Sequence, residues 1–182
     1  MALIVFLTPY TILYIGLHPL IPPFMKVLFI CLGNICRSPI AEEVFRQKVK
    51  AAGREADFER IDSAGMIDYH EGELADGRMR QHAFDRGYRL THRSRPMTTA
   101  DFEEFDLILA MDSDNISRLR SNSNDNPELM GKVQLLSDYL TRFPGFHRIP
   151  DPYYGGAEDF ELVIDLCEDA CEQLLSTLPT QR

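Results

Sequence analysis

A thiol and a guanidinium bracket five residues in the stretch Cys31-Leu32-Gly33-Asn34-Ile35-Cys36-Arg37-Ser38-Pro39. A thiolate is a strong nucleophile, and electropositive surroundings favour it over the thiol. The planar fork of Arg37 can grip two oxygens of a tetrahedral oxyanion. Gly33 and Asn34 tolerate the positive φ that a tight wrap around such an ion requires. Ser38 is suited to cap a following helix or to hydrogen-bond the Cys31 sulfur, and Pro39 suits the first helical position. Far along the chain, Asp151 opens Asp151-Pro152-Tyr153-Tyr154-Gly155 and supplies a carboxyl for proton transfer. Together these residues could transfer a phosphoryl-like oxyanion through a covalent cysteine intermediate. A bare Cys-x5-Arg would more often be a buried cysteine beside a surface arginine. The Gly-Asn inside this one and the Ser-Pro after it argue for a cradle.

The elements around these residues have to present them. Val27-Leu28-Phe29-Ile30 is a near-continuous apolar run, which suits a parallel strand covered on both faces. Residues 39–52 show helical periodicity with Ile40, Ala41, Val44, Phe45 and Val49 on one broad face. Strand, tight loop and helix N-terminus together aim backbone N–H groups and a positive dipole end at an anion. Beyond that unit, strands are predicted at 60–64, 107–111 and 133–136. Helices are predicted at 75–86, 99–105, 112–120 and 157–178, with a polar turn at 121–127 and a long loop at 141–156. Alternation of strands and helices implies an α/β fold with a parallel sheet, and Cys31 falls at the carboxyl edge of its first strand.

The sequence from Val27 to Glu42, Val-Leu-Phe-Ile-Cys-Leu-Gly-Asn-Ile-Cys-Arg-Ser-Pro-Ile-Ala-Glu, resembles the phosphate loop of the low-molecular-weight protein tyrosine phosphatases. Asp151-Pro152-Tyr153-Tyr154-Gly155 resembles that family's general-acid loop, and the likeness runs from about residue 25 to the end. It implies a flavodoxin-like, four-stranded parallel sheet in the order 2-1-3-4. It also implies hydrolysis of phosphotyrosine with Cys31 as nucleophile, Arg37 as phosphate clamp and Asp151 as general acid. Leu32, Gly33, Asn34, Ile35, Cys36 and Ser38 then line the phosphate loop, and Tyr69, Tyr153 and Tyr154 wall a cleft deep enough for an aryl phosphate. By the same resemblance Asn34, Ser38 and His92 form a network that fixes the loop, with Glu42 as the carboxylate paired to His92. No metal or other cofactor is required. Met66, Leu74 and Gly77 depart from residues frequent in the family and fall around Tyr69, where they bear on substrate choice.

The composition narrows the alternatives. A chain of 182 residues with a formal net charge of −9 can bury a sizeable core and lacks the basic balance of a nucleic-acid binder. Cys31, Cys36, Cys167 and Cys171 do not form a secreted disulfide framework and point to a reducing cytoplasm. Residues 1–24 are apolar, rich in proline and free of Lys, Arg, Asp and Glu. They are expected to be an extension outside a single domain at 25–182, so a membrane role is not expected apart from that segment. The expected partner is a tyrosine-phosphorylated protein, with the chain a monomer or weak homodimer. Three other functions fit parts of the pattern. Arsenate reductases of this fold need relay cysteines, and none lies between Cys36 and Cys167. Phosphoarginine phosphatases tend to carry a threonine where this chain has Ile35. A phosphocarrier module has no use for Asp151.

Overall fold

The structure is a computed structural model that describes residues 24–180. The reading of residues 1–24 as an extension therefore falls, Phe24 aside, outside the described residues. Four parallel strands, β1 (Met25–Cys31), β2 (Phe58–Gly65), β3 (Leu107–Ala110) and β4 (Val133–Leu135), lie in the order β2-β1-β3-β4. The helices are α1 (Arg37–Ala51), α2 (Gly77–Asp85), α3 (Thr99–Glu104), α4 (Ser113–Asn122), α5 (Pro127–Met130) and α6 (Ala157–Thr177). Sheet and strand order agree with the expectation. The chain leaves β1 toward β2 on one side and reaches β3 on the other, so the carboxyl end of β1 is a switch point where a crevice opens.

The period-2 alternation of a strand explains why β1 is apolar from Val27 to Cys31. Val27, Phe29 and Cys31 belong to a core shared with Ile40, Val44 and Phe45 of α1 and with Phe160, Val163, Cys167 and Leu174 of α6. Leu28 and Ile30 point to the opposite core, with Phe102, Phe105, Ile108 and Leu119. Both faces are covered, and the strand is fixed from both sides up to the sulfur it delivers.

Three local expectations are corrected. Helix α1 begins at Arg37 with Cys36 as its N-cap, and no side chain caps it. Ser38 lies inside the first turn and uses its hydroxyl elsewhere. Residues 121–127 are not one polar turn, because α4 runs on to Asn122 and α5 starts at Pro127. The proline sits at the start of α5, where its missing N–H costs nothing, and the Asn126 side chain accepts from Glu128 N and Leu129 N. The third concerns Gly33, whose backbone is not left-handed. Asn34 takes the positive φ, at 55°. Among the described residues no helix is long and apolar enough to cross a membrane.

Candidate active site

The loop between β1 and α1 is held by its carbonyls. Met66 N donates to Cys31 O at 3.0 Å, Ile67 N to Leu32 O at 3.1 Å, and Asp76 N to Ile35 O at 2.8 Å. The Ser94 hydroxyl donates to Gly33 O at 3.0 Å. With these oxygens pulled outward, the amides face the other way. The N–H groups of Gly33, Ile35, Cys36 and Arg37 meet no protein acceptor among the described residues. Together with the α1 dipole they form an anion cradle. Gly65 makes the close approach possible: a Cβ there would stand 3.1 Å from both Gly33 C and Leu32 O. Next to Gly33 itself, a Cβ would meet the His70 ring at 3.1 Å.

Cys31 Sγ receives two donors. Asn34 N–H lies 3.2 Å from it and the Ser38 hydroxyl 3.1 Å. The direction of the second bond is set further back. The Asn34 amide donates to Ser38 Oγ at 2.9 Å and to Ser63 Oγ at 2.8 Å. A hydroxyl that accepts there has its own hydrogen free. Ser63 directs its hydrogen to Glu42 Oε2 at 2.6 Å, and Ser38 directs its hydrogen to the sulfur. Asn34 Oδ1 in turn accepts from Arg95 N and faces His92 Nε2, each at 3.0 Å. His92 Nδ1 is 3.3 Å from Glu42 Oε2 and 3.5 Å from Asp62 Oδ1. Asn34, Ser38, Ser63 and Glu42 are all buried, so an unmet group among them would be costly.

Glu42, Asp62 and His92 bring ligand-type atoms within 4.8 Å of one another. The two carboxylates are already engaged: Glu42 with Arg46 at 2.6 Å, and Asp62 with Arg60 at 2.6 Å and Arg95 at 3.0 Å. The trio therefore reads as support for the loop. Of these residues, the expectation named Asn34, Ser38, Glu42 and His92. It missed Ser63, Asp62 and Arg95, which come from β2 and the segment after α2 and carry no local signature.

The Arg37 guanidinium is buried between two carboxylates. Nη1 is 2.5 Å from Asp112 Oδ2 and 3.3 Å from the Ile149 carbonyl, and Nη2 is 2.7 Å from Asp151 Oδ2. Burial works against its charge, but Cys31, Asp151 and Asp112 outweigh that and hold its pKa above the ordinary value. Asp112, the N-cap of α4, was not expected at the site. Asp151 reaches Arg37 across 114 positions of sequence, and its Oδ1 accepts from Tyr153 N at 3.1 Å. The long loop that carries Asp151 is anchored where it begins. Asp169 of α6 accepts from the backbone N–H of Thr141 and of Arg142, each at 2.8 Å. Desolvation opposes the Asp169 charge, yet the bonds from Arg142 and Thr141 prevail and bring its pKa down to about 2.

A cleft of about 370 Å³ opens over the cradle, with Cys31, Leu32, Gly33, Ile35, Cys36, Arg37 and Asp151 in its floor and wall. Tyr69, Tyr153 and Tyr154 line it together with two residues that were not expected, Ile67 and His70. His70 Nδ1 is 2.7 Å from Glu73 Oε2. The tyrosines form a rim more than deep walls: Tyr69 is 81% exposed, Tyr154 98% and Tyr153 37%. Tyr153 is backed by the Arg78 guanidinium, 5.4 Å from its ring centre. Cys36 is buried at the helix start, and burial, with the neighbouring Cys31, raises its thiol pKa well above the usual range. Cys167 and Cys171 are fully buried in α6.

Residues 26–182 match the family model described as low molecular weight phosphotyrosine protein phosphatase. A low molecular weight phosphotyrosine protein phosphatase of Schizosaccharomyces pombe is 45% identical over 138 residues, 75% of this chain and 85% of its own length. One from Gallus gallus is 42% identical over 150 residues, 82% of this chain and 93% of its own. Among solved structures, a protein tyrosine phosphatase from Entamoeba histolytica superposes with a TM-score of 0.78 at 44% identity, covering 84% of this chain and 95% of that one.

Proposed function

The chain belongs to the low molecular weight phosphotyrosine protein phosphatase family, and on that premise we propose how its residues hydrolyse phosphotyrosine. The Cys31 sulfur attacks phosphorus in line with the aryl oxygen, and an S–P bond forms as the P–O bond breaks. The cradle amides and the Arg37 fork hold the three equatorial oxygens, where charge develops in the transition state. Asp151 gives its proton to the departing phenolate oxygen. A water then attacks the phosphorus of the cysteinyl-phosphate and passes a proton to Asp151; the new P–O bond forms as the S–P bond breaks, its electron pair returns to sulfur, and inorganic phosphate is released. The Ser38 hydroxyl and Asn34 N–H stabilise the sulfur as it departs with the electron pair. Asn34, Ser38, Glu42 and His92 act by positioning the loop, and Leu32, Ile35, Tyr69, Tyr153 and Tyr154 contact the aryl group.

The observation that carries this reading is the convergence on one cleft of a sulfur with two donors, a buried arginine and a carboxylate 2.7 Å from it. The substrate class follows from Ile35 and the aromatic rim, which favour a flat aryl group over the flexible chain of phosphoarginine. Arsenate reduction would need further thiols near Cys31, and Cys167 and Cys171 are sealed in the core. A panel of phosphotyrosine, phosphoserine and phosphoarginine peptides, run beside arsenate reduction, tests the assignment. Turnover of phosphotyrosine well above the others is expected, and preferential turnover of phosphoarginine would overturn it.

The proposal extends to setting: tyrosine-phosphorylated proteins as substrates, the cytoplasm as compartment, and a monomer or weak homodimer as the working form. Residues 1–24 are proposed to lie outside the domain, so a chain lacking them is expected to keep its full kcat/KM on p-nitrophenyl phosphate. Loss of activity or of solubility would show that the segment packs on the domain.

A further inference from the structure

A second cleft, of about 360 Å³, adjoins the aryl pocket, with Arg37 in the lining of both. The two clefts share Leu32, Arg37 and Asp151, so they meet at the phosphate cradle. The second contains Arg118 and Arg148. Most basic side chains in this acidic chain are committed to an ion pair, a hydrogen bond or an aromatic ring. Among the described residues, only Lys50, Arg118 and Arg148 have none of these. Two of those three face one cleft beside the phosphate cradle.

The spacing of these two arginines is preset. Arg148 precedes Ile149, whose N–H donates to Met111 O at 2.8 Å and whose carbonyl accepts from Arg37 at 3.3 Å. Arg118 stands on α4, whose start is tied to the same strand end: Asn115 Oδ1 accepts from Met111 N at 3.3 Å. Both guanidinium groups thus project from backbone pinned to the carboxyl end of β3. The cleft also holds carboxylates. Asp112 and Asp151 are both occupied by Arg37. Asp114 lies one helical turn before Arg118, yet no ion pair joins them. The lining carries three arginines against three aspartates and is neutral with all of them charged; when Asp151 holds the proton it donates in the proposed reaction, one positive charge is in excess, and Arg118 and Arg148 are the cations left unpaired.

We propose that this cleft is an anion subsite that takes a second negatively charged side chain, carboxylate or phosphate, of the same phosphotyrosine polypeptide. The inference rests on the reaction proposed at Cys31 and narrows the substrates to those with acidic or phosphorylated flanks. Two guanidinium forks match either group bidentately. Their exposure limits the gain to a modest selectivity that salt screens.

The test uses the full chain and one phosphotyrosine peptide carrying Ala, Asp or phosphoserine at each flanking position in turn. The readout is kcat/KM on each peptide divided by that on p-nitrophenyl phosphate, which has no flank. Wild type is expected to favour an anionic peptide by roughly tenfold, falling as salt rises. The ratio is expected to drop about threefold in Arg118→Ala and in Arg148→Ala, and to reach the Ala-peptide level in the double variant. Arg148→Lys restores part of it, because charge without the planar fork remains. Preference for Asp alone assigns the site to a carboxylate, and preference for phosphoserine alone assigns it to phosphate. No anionic preference in wild type, or a preference that survives the double change, would overturn the subsite. Wild type without turnover of p-nitrophenyl phosphate would remove the reaction proposed at Cys31, and the subsite with it.

Discussion

The loop at residues 31–37 and the loop at residues 141–156 meet at Arg37, through its ion pair with Asp151 and its hydrogen bond to the Ile149 carbonyl, but they are held in opposite ways. In the first loop the carbonyls and the buried side chains are partnered, and the amides of Gly33, Ile35, Cys36 and Arg37 are left aimed into the cleft. Its carbonyls are tied outward, Asn34 and Ser38 pass hydrogen bonds from the Arg95 backbone to the sulfur, and Ser63 carries the other branch from Asn34 to Glu42. The second loop lies mostly at the surface and is fixed at a few points: Asp169 at its start, Ile149 midway, and Asp151 itself. The difference follows from the work proposed for each. Oxyanion stabilisation depends on donors that are already aimed, because reorganising them costs the energy they should supply. A proton donor must approach a leaving group that arrives with the substrate, so its carrier needs an anchor but not a cage.

Breaking the rigid half at its centre has the largest expected effect. Cys31→Ser should lower turnover of p-nitrophenyl phosphate on the order of 10⁴–10⁶-fold while phosphate still binds, since the cradle remains. Single-turnover kinetics with a binding titration checks both parts, and near-normal turnover would end the covalent mechanism. Asp151→Asn should cost roughly 10²–10⁴-fold in kcat. The loss should shrink across a series of esters with more acidic leaving groups, which need less protonation. An equal loss across that series would reassign Asp151 to holding Arg37.

Asn34→Ala sharpens the comparison, because it leaves nucleophile, clamp and acid in place. It unmakes the bonds that direct the Ser38 hydrogen at sulfur and removes the side chain that tolerates a φ of 55°. A fall of roughly 10²-fold in kcat is expected from a misplaced loop, with Tm lowered by several degrees. Unchanged kcat would show that the loop needs no such support.

The smallest effect belongs to the second loop. Asp169→Asn should lower stability by ~1–2 kcal/mol, a Tm drop of roughly 2–8 °C, with kcat changed only a few-fold. Its pH dependence has a definite sign. The folded pKa is about 2, below the ordinary 3.8, so the charge contributes fully above pH 3.8 and its contribution is lost as pH falls through 2. The gap in stability between wild type and the Asn variant should therefore close in acid. A gap of constant size from pH 6 to pH 2 would mean that the hydrogen-bond geometry, and not the charge, anchors the loop.

Sequence alone determined what is local or periodic. The apolar run of β1, the Cys-x5-Arg spacing, the helix after it and the Asp-Pro-Tyr-Tyr-Gly stretch are contiguous signals, because a strand, a turn and a helix start are each built from neighbours. The Asp151 motif is legible for the same reason. Tertiary structure decided everything that depends on which distant groups converge. Ser38 reads equally as a cap or as a donor to the Cys31 sulfur until the Asn34 amide, donating to its oxygen, shows where its hydrogen goes. Asp112 reads only as the N-cap of α4 until β3 sets it beside Arg37. Ser63, Asp62 and Arg95 are ordinary polar residues until β2 pairs with β1. Arg118 and Arg148 are ordinary surface charges until the chain folds them beside the phosphate cradle. The physical reason is common to all of these: hydrogen bonds and ion pairs act over about 3 Å, and only the folded chain sets which residues come that close.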